Sequence, residues 1–165
     1  MSPAGATSAP AGASAPKRVL MLGATGTIGR ATALELVARG HEVVCVMRPR
    51  PQAQPRSLPG AVLREAEIGT PGALARDAIR GERFDALVSC MASRTGLPRD
   101  AWAVDHDAQL QALLAAREAG VSHVVLLSAI CVQRPLLAFQ HAKLAFERAL
   151  VESGLGYTIV RPTAF

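Results

Sequence analysis

The residues best placed to do chemistry fall into two groups. The first is Gly23, Gly26 and Gly29, three glycines at three-residue spacing. They follow the apolar run 19–22 and open a stretch with helical spacing, Ile28, Ala31, Leu34, Val37 and Ala38. Strand, tight turn and helix in that order leave the first-turn N–H groups of the helix without internal partners. Bare amides there attract a diphosphate. Gly23 permits the turn, Gly26 lets backbone approach a pyrophosphate, and Gly29 lets the helix close on the strand. Gly23, Thr25, Gly26, Thr27, Ile28 and Gly29 are therefore the candidate cofactor-binding residues. Glycines are also ordinary turn punctuation. The strand before, the helix after and a second strand at 41–47 favour a dinucleotide site over a plain turn.

The second group is Ser128, at the end of a strand read over 122–128, and Lys143, on the following helix. These are the candidate catalytic residues. Of 18 basic residues only Lys17 and Lys143 are lysines. A compact ammonium at 143 suits ribose hydroxyls, and a solvent-facing helix lysine is the other reading. Ser128 is either a reacting hydroxyl or a residue that turns the chain after its strand. Phe139, four residues before Lys143, stands where a tyrosine would bring a phenolic acid one helical turn from the ammonium. The single tyrosine is Tyr157, on a later strand.

The second strand bears on which dinucleotide is bound. An NAD site calls for Asp or Glu roughly 20 residues past the glycines, to hold the ribose. Met47 and Arg48 occupy that place, with Arg50 nearby and no carboxylate. A guanidinium fork suits a 2′-phosphate, so NADPH is the expected cofactor. A solvated loop arginine is the alternative.

Those residues need a scaffold, and the chain spells one out. Strands at 18–22, 41–47, 61–64, 84–90, 122–128 and 157–160 alternate with helices at 27–39, 71–80, 100–119 and 136–152. Alternation of this kind implies a parallel sheet covered on both faces, and the strands are unbroken apolar runs as that burial requires. The expected fold is α/β, a doubly wound parallel sheet (Rossmann) in strand order 3-2-1-4-5-6. Ligands then bind beyond the carboxyl ends of the strands: 23–26, Arg48, 90–93, 128–131 and 161–163. On the long helix the predicted inner face is Leu110, Leu113, Leu114 and Arg117. Residues 1–16 carry only Met, Ala, Gly, Ser, Pro and Thr and read as a disordered extension; residues 17–165 read as one nucleotide-binding domain. The last strand runs into a loop and stops, so a carboxyl-terminal substrate region is expected to be missing.

Length and composition narrow the function classes. With 165 residues, 50% hydrophobic and 4% aromatic, the core must be built from Ala, Val and Leu. Net charge is +5, but the arginines are scattered without a basic block, which argues against nucleic acid and for an anionic small molecule. Cys45, Cys90 and Cys131 lie far apart with no metal-type spacing. No metal is expected, and reduced thiols suit a cytoplasmic protein. No run approaches the ~18 apolar residues of a membrane helix.

Four segments together resemble a known family: GATGTIG at 23–29, SAICVQRPLL from Ser128, FQHAKLAFE around Lys143, and YTIVRPTAF from Tyr157. They are similar to the divinyl chlorophyllide a 8-vinyl-reductases, a branch of the atypical short-chain dehydrogenases. The glycine motif is general to the superfamily; SAICVQ-P-L-L and RPTAF are far more specific. The resemblance implies NADPH-dependent reduction of the 8-vinyl group of a tetrapyrrole substrate to ethyl, in chlorophyll or bacteriochlorophyll synthesis. It also implies that Gly23, Gly26 and Gly29 hold the diphosphate and Arg48 the 2′-phosphate. Lys143 would hold the nicotinamide ribose, and Arg161, Pro162 and Thr163 would flank the nicotinamide. Phe139 is compatible with such chemistry, because hydride goes to carbon and the macrocycle delocalises the charge. Two other readings stand: a non-enzymatic NADP-sensing module, and another atypical reductase acting on quinones or phenols.

Overall fold

The computed structural model describes residues 15–49 and 57–163. Most of the expected extension at 1–16, together with Arg50 and Phe165, lies outside the described residues. Six parallel strands form one sheet: β1 Arg18–Leu22, β2 Glu42–Met47, β3 Val62–Glu65, β4 Ala86–Ser89, β5 His123–Leu127 and β6 Gly156–Val160. Their order is β3-β2-β1-β4-β5-β6, the doubly wound order expected from alternation with right-handed crossovers. Register places Leu22 beside Val46 and Ser89, and Ser89 beside Leu126, so the carboxyl ends of β1, β2, β4 and β5 are level. That common edge is where the glycine turn, Arg48, Met91 and Ser128 emerge.

Alternate residues of each strand feed two apolar layers, because successive side chains point to opposite faces. Leu20, Leu22, Val44, Val46, Leu87, Val124 and Leu126 lie on one face. Val19, Met21, Val43, Cys45 and Val88 lie on the other, under helix α1, Thr27–Ala38. The first face is covered by α2 Leu74–Ile79, by α4 Ala108–Glu118 and by α5 Ala138–Glu152.

Several boundaries differ from expectation for local reasons. Helix α2 is short and π-wound, since Gly72 takes φ +72° and keeps Pro71 in a turn, and left-handed Arg80 ends it. The long helix begins at Pro98 as α3 Pro98–Trp102, passes through a π-wound turn Ala103–Asp107, and continues as α4. Its inner face is Ala108, Gln109, Ala112, Leu113 and Ala116, while Leu114 is 52% exposed. Alanines line the contact because small side chains let the helix sit close to the sheet. A count of large apolar residues misses that stripe. The same holds for α1, where Gly29 and Ala33 are buried and Ala31 is exposed. Helix α5 starts at Ala138 instead of Leu136, since the amides of Leu136 and Leu137 donate to the Gln140 side chain at 2.9 and 3.0 Å.

Candidate cofactor site at the carboxyl edge of the sheet

The turn after β1 is built from missing side chains. Gly23 sits at φ +76°, and a Cβ there would lie 2.5 Å from the Cys90 backbone. A Cβ on Gly29 would run into the Gly23 carbonyl. Both glycines are therefore demanded by the protein's own packing. Gly26 is different: a Cβ would meet only the Gly23 oxygen at 3.6 Å, an ordinary contact. Nothing among the described residues excludes a side chain at 26, so the open space there suits a ligand brought against backbone. Gly26 is also the N-cap of α1, and no side chain caps that helix. An uncapped helix start beside open space is the donor arrangement a diphosphate requires, and a dinucleotide fits the residues present.

A cavity of about 710 Å³ opens in front of this turn. Gly23, Thr25, Gly26 and Arg48 line it, joined by Met91 and Ser93 after β4 and by Asp100 on α3. Thr27, Ile28 and Gly29 follow in the first turn of α1, with Gly29 buried behind the loop. Arg48 is exposed at the end of β2. The amide and hydroxyl of Thr95 and the amide of Arg94 hold the Asp100 carboxyl below the usual carboxylate range, and Arg48 adds a smaller pull. Cys90 also lines the cavity, and its thiol lies beside Thr32. Burial pushes the thiol up, against weaker opposite pulls from the Thr32 hydroxyl and the Lys143 charge.

Lys143 is not a solvent-facing helix lysine. It is 5% exposed, and its Nζ lies 3.1 Å from Asp105 Oδ1, 3.2 Å from the Met91 carbonyl and 3.4 Å from the Leu127 carbonyl. Ser128 follows Leu127, is buried, and its hydroxyl has no partner among the described residues. Gln109, one turn beyond Asp105, accepts a hydrogen bond from the Ser89 hydroxyl at 2.8 Å, but its Nε2 is unpartnered among the described residues. Two orphaned polar atoms under one strand edge mark a polar interior, since buried groups are otherwise paired.

The structure thus gathers Gly23, Thr25, Gly26 and Arg48 around one cavity, with Lys143 and Ser128 beneath its β4–β5 side. Half-buried Pro162 and exposed Thr163 follow β6 and do not line the cavity. Arg161 is engaged elsewhere, in a two-point pair with the buried Glu147 carboxylate. Phe139 is half-buried, and Tyr157 pairs with Val124, towards the opposite edge of the sheet. No tyrosine therefore stands at the carboxyl edge among the described residues. Sequence reasoning passed over Asp105, although an acid four residues before Gln109 on a helix whose inner face is alanine is a visible anomaly.

The family model described as NAD(P)H-binding matches residues 23–165. The chain belongs to the NAD(P)H-binding family. Similar proteins make the comparison more specific. The divinyl chlorophyllide a 8-vinyl-reductase of Oryza sativa subsp. indica is 46% identical over 160 residues, covering 89% of this chain and 40% of that protein. A photosystem II assembly factor of Synechocystis is 28% identical over 149 residues, covering 90% of this chain and 45% of the other. Among solved structures, the Bordetella bronchiseptica enzyme WbmH in complex with NAD+ superposes with a TM-score of 0.72 at 22% identity, covering 88% of this chain and 56% of that one. This last likeness concerns the fold. The resemblance read from SAICVQ and RPTAF is borne out by relatives of that name at 40–46% identity. The chain spans about two fifths of the length of those relatives. As a member of the NAD(P)H-binding family it takes a nicotinamide dinucleotide, and no helix among the described residues is long and apolar enough to cross a membrane.

Proposed function

We propose that this chain is the cofactor-binding part of an NADPH-dependent reductase that converts the 8-vinyl group of a divinyl chlorophyllide to ethyl. The observation that carries the proposal is the 46% identity to a reductase of that name, over a stretch that includes the whole cavity edge. The amides around Thr25, Gly26, Thr27 and Ile28 hold the diphosphate, with Gly23 and Gly29 shaping the turn. Arg48 selects the 2′-phosphate, a preference supported by the absence of any carboxylate at the end of β2. Lys143 orients the nicotinamide ribose, with Pro162 and Thr163 beside the nicotinamide and the Ser128 hydroxyl free to bond in the same interior. Residues 17–165 act as one domain in this reading. Bound NADPH would supply hydride to the vinyl group, and a proton from water would complete the ethyl group. This chain's share is to position cofactor against the tetrapyrrole, and that positioning is where most of its rate advantage comes from. Phe139 in place of a phenol is consistent with a reaction that protonates carbon and makes no alkoxide. The three free cysteines support a reducing, cytoplasmic setting.

The test is incubation of protein expressed from the complete reading frame with NADPH and divinyl chlorophyllide, read by chromatography. Monovinyl product with matching NADPH oxidation is expected. Bound NADPH without any product would overturn the reductase reading. That second outcome would favour an NADP-binding module acting through a protein partner, which the 28% identity to an assembly factor supports.

A further inference from the structure

The Asp105–Lys143 pair lies across the β4–β5 side of the cavity, and its stoichiometry is informative. An ammonium has three hydrogens to donate. Those of Lys143 have three acceptors in reach: Asp105 Oδ1 at 3.1 Å, the Met91 carbonyl at 3.2 Å and the Leu127 carbonyl at 3.4 Å. The contacts are unequal, and the last is at the limit of a hydrogen bond. Asp105 is 1% exposed, and its other oxygen takes the Ser93 hydroxyl at 2.6 Å. Ser93 and Met91 both line the cavity. One carboxylate therefore ties the ammonium to the cavity wall. The π-wound turn at Ala103–Asp107 is the local feature that carries it.

We propose that Asp105 is a positioning residue for the nicotinamide half of the dinucleotide. It fixes Lys143 through one hydrogen and Met91 fixes a second. The third, on Leu127, is left to be exchanged for a ribose hydroxyl. The inference rests on the dinucleotide reading above and adds to it which contact holds the lysine and which one gives way.

The experiment compares two probes on the full chain by calorimetry: NADPH, and adenosine 2′,5′-bisphosphate, which carries the phosphorylated adenosine half but no nicotinamide ribose. Asp105→Asn should weaken NADPH about tenfold, the size of one charge-assisted hydrogen bond, and leave the bisphosphate unchanged. Equal weakening of both, or of neither, overturns the proposal, because a merely structural carboxylate would not distinguish the halves. If Asp105→Asn does not fold, Asp105→Glu decides, since it keeps Lys143 and a paired buried charge while moving the carboxylate by one methylene. Selective loss of NADPH in that variant supports the proposal. Wild-type affinity for both probes, or equal loss of both, contradicts it. Wild-type protein that binds neither probe would remove the dinucleotide reading and this inference with it.

Discussion

The glycine turn after β1 and the charged knot beneath β4 and β5 face the same edge of the sheet, yet they are made of opposite materials. The turn is shaped by absent side chains: Gly23 and Gly29 are excluded from bearing a Cβ by backbone atoms, and Gly26 leaves room in front of an uncapped helix. The knot is made of long side chains, Lys143 on α5 reaching Asp105 in the π-wound turn and carbonyls at the ends of two strands. One region meets a ligand with fixed backbone dipoles and little reorganisation. The other holds a full charge in a buried interior, where it stands only because it is paired. In the proposed reading the edge divides its work between an anion-binding half and a half that orients polar hydroxyls.

Breaking the two regions should produce different kinds of damage. The largest effect is expected at Gly23→Ala. The new Cβ would meet the Cys90 backbone, and φ +76° would be forced on alanine, so a loss of about 5 kcal/mol or more is expected in urea denaturation. Next come the single variants Lys143→Met and Asp105→Leu. Each leaves one buried charge unpaired and should cost about 3–5 kcal/mol, while the double variant loses far less. A thermodynamic cycle over the four proteins measures the coupling.

Those two regions were not equally legible. The glycine turn is local: seven consecutive residues at a strand-to-helix junction carry the whole message, and alternation already implies a parallel sheet. The Asp105–Lys143 pair joins residues 38 positions apart, and no periodicity announces it. Lys143 alone allowed two readings, and burial at 5% exposure removes the solvent-facing one. Alanine-lined helix faces were misread because burial there depends on close approach, not on bulk. The π-wound turn had no signal in composition or spacing.

Smaller effects sharpen the contrast. Gly26→Ala should leave the unfolding free energy in urea within about 1 kcal/mol of wild type, the ordinary cost range at an N-cap, and still weaken dinucleotide binding by about tenfold or more. Arg48→Ala should lower NADPH affinity about tenfold and leave NADH nearly unchanged, measured by parallel titrations. The smallest disturbance is chemical labelling. Cys45 is fully buried, with its thiol pushed up by burial to about 11, so it should resist iodoacetamide at pH 8 in folded protein, while exposed Cys131 is labelled. Mass spectrometry of the two peptides reads the ratio.

The most direct measurement is a paired NADPH titration of wild-type protein and Gly26→Ala, with the melting temperature of each recorded on the same samples. Saturable one-to-one binding by wild type, lost in a variant that melts at nearly the same temperature, is the expected result. Equal binding by both proteins, or none by the folded wild type, would contradict a diphosphate seated on the amides at the start of α1.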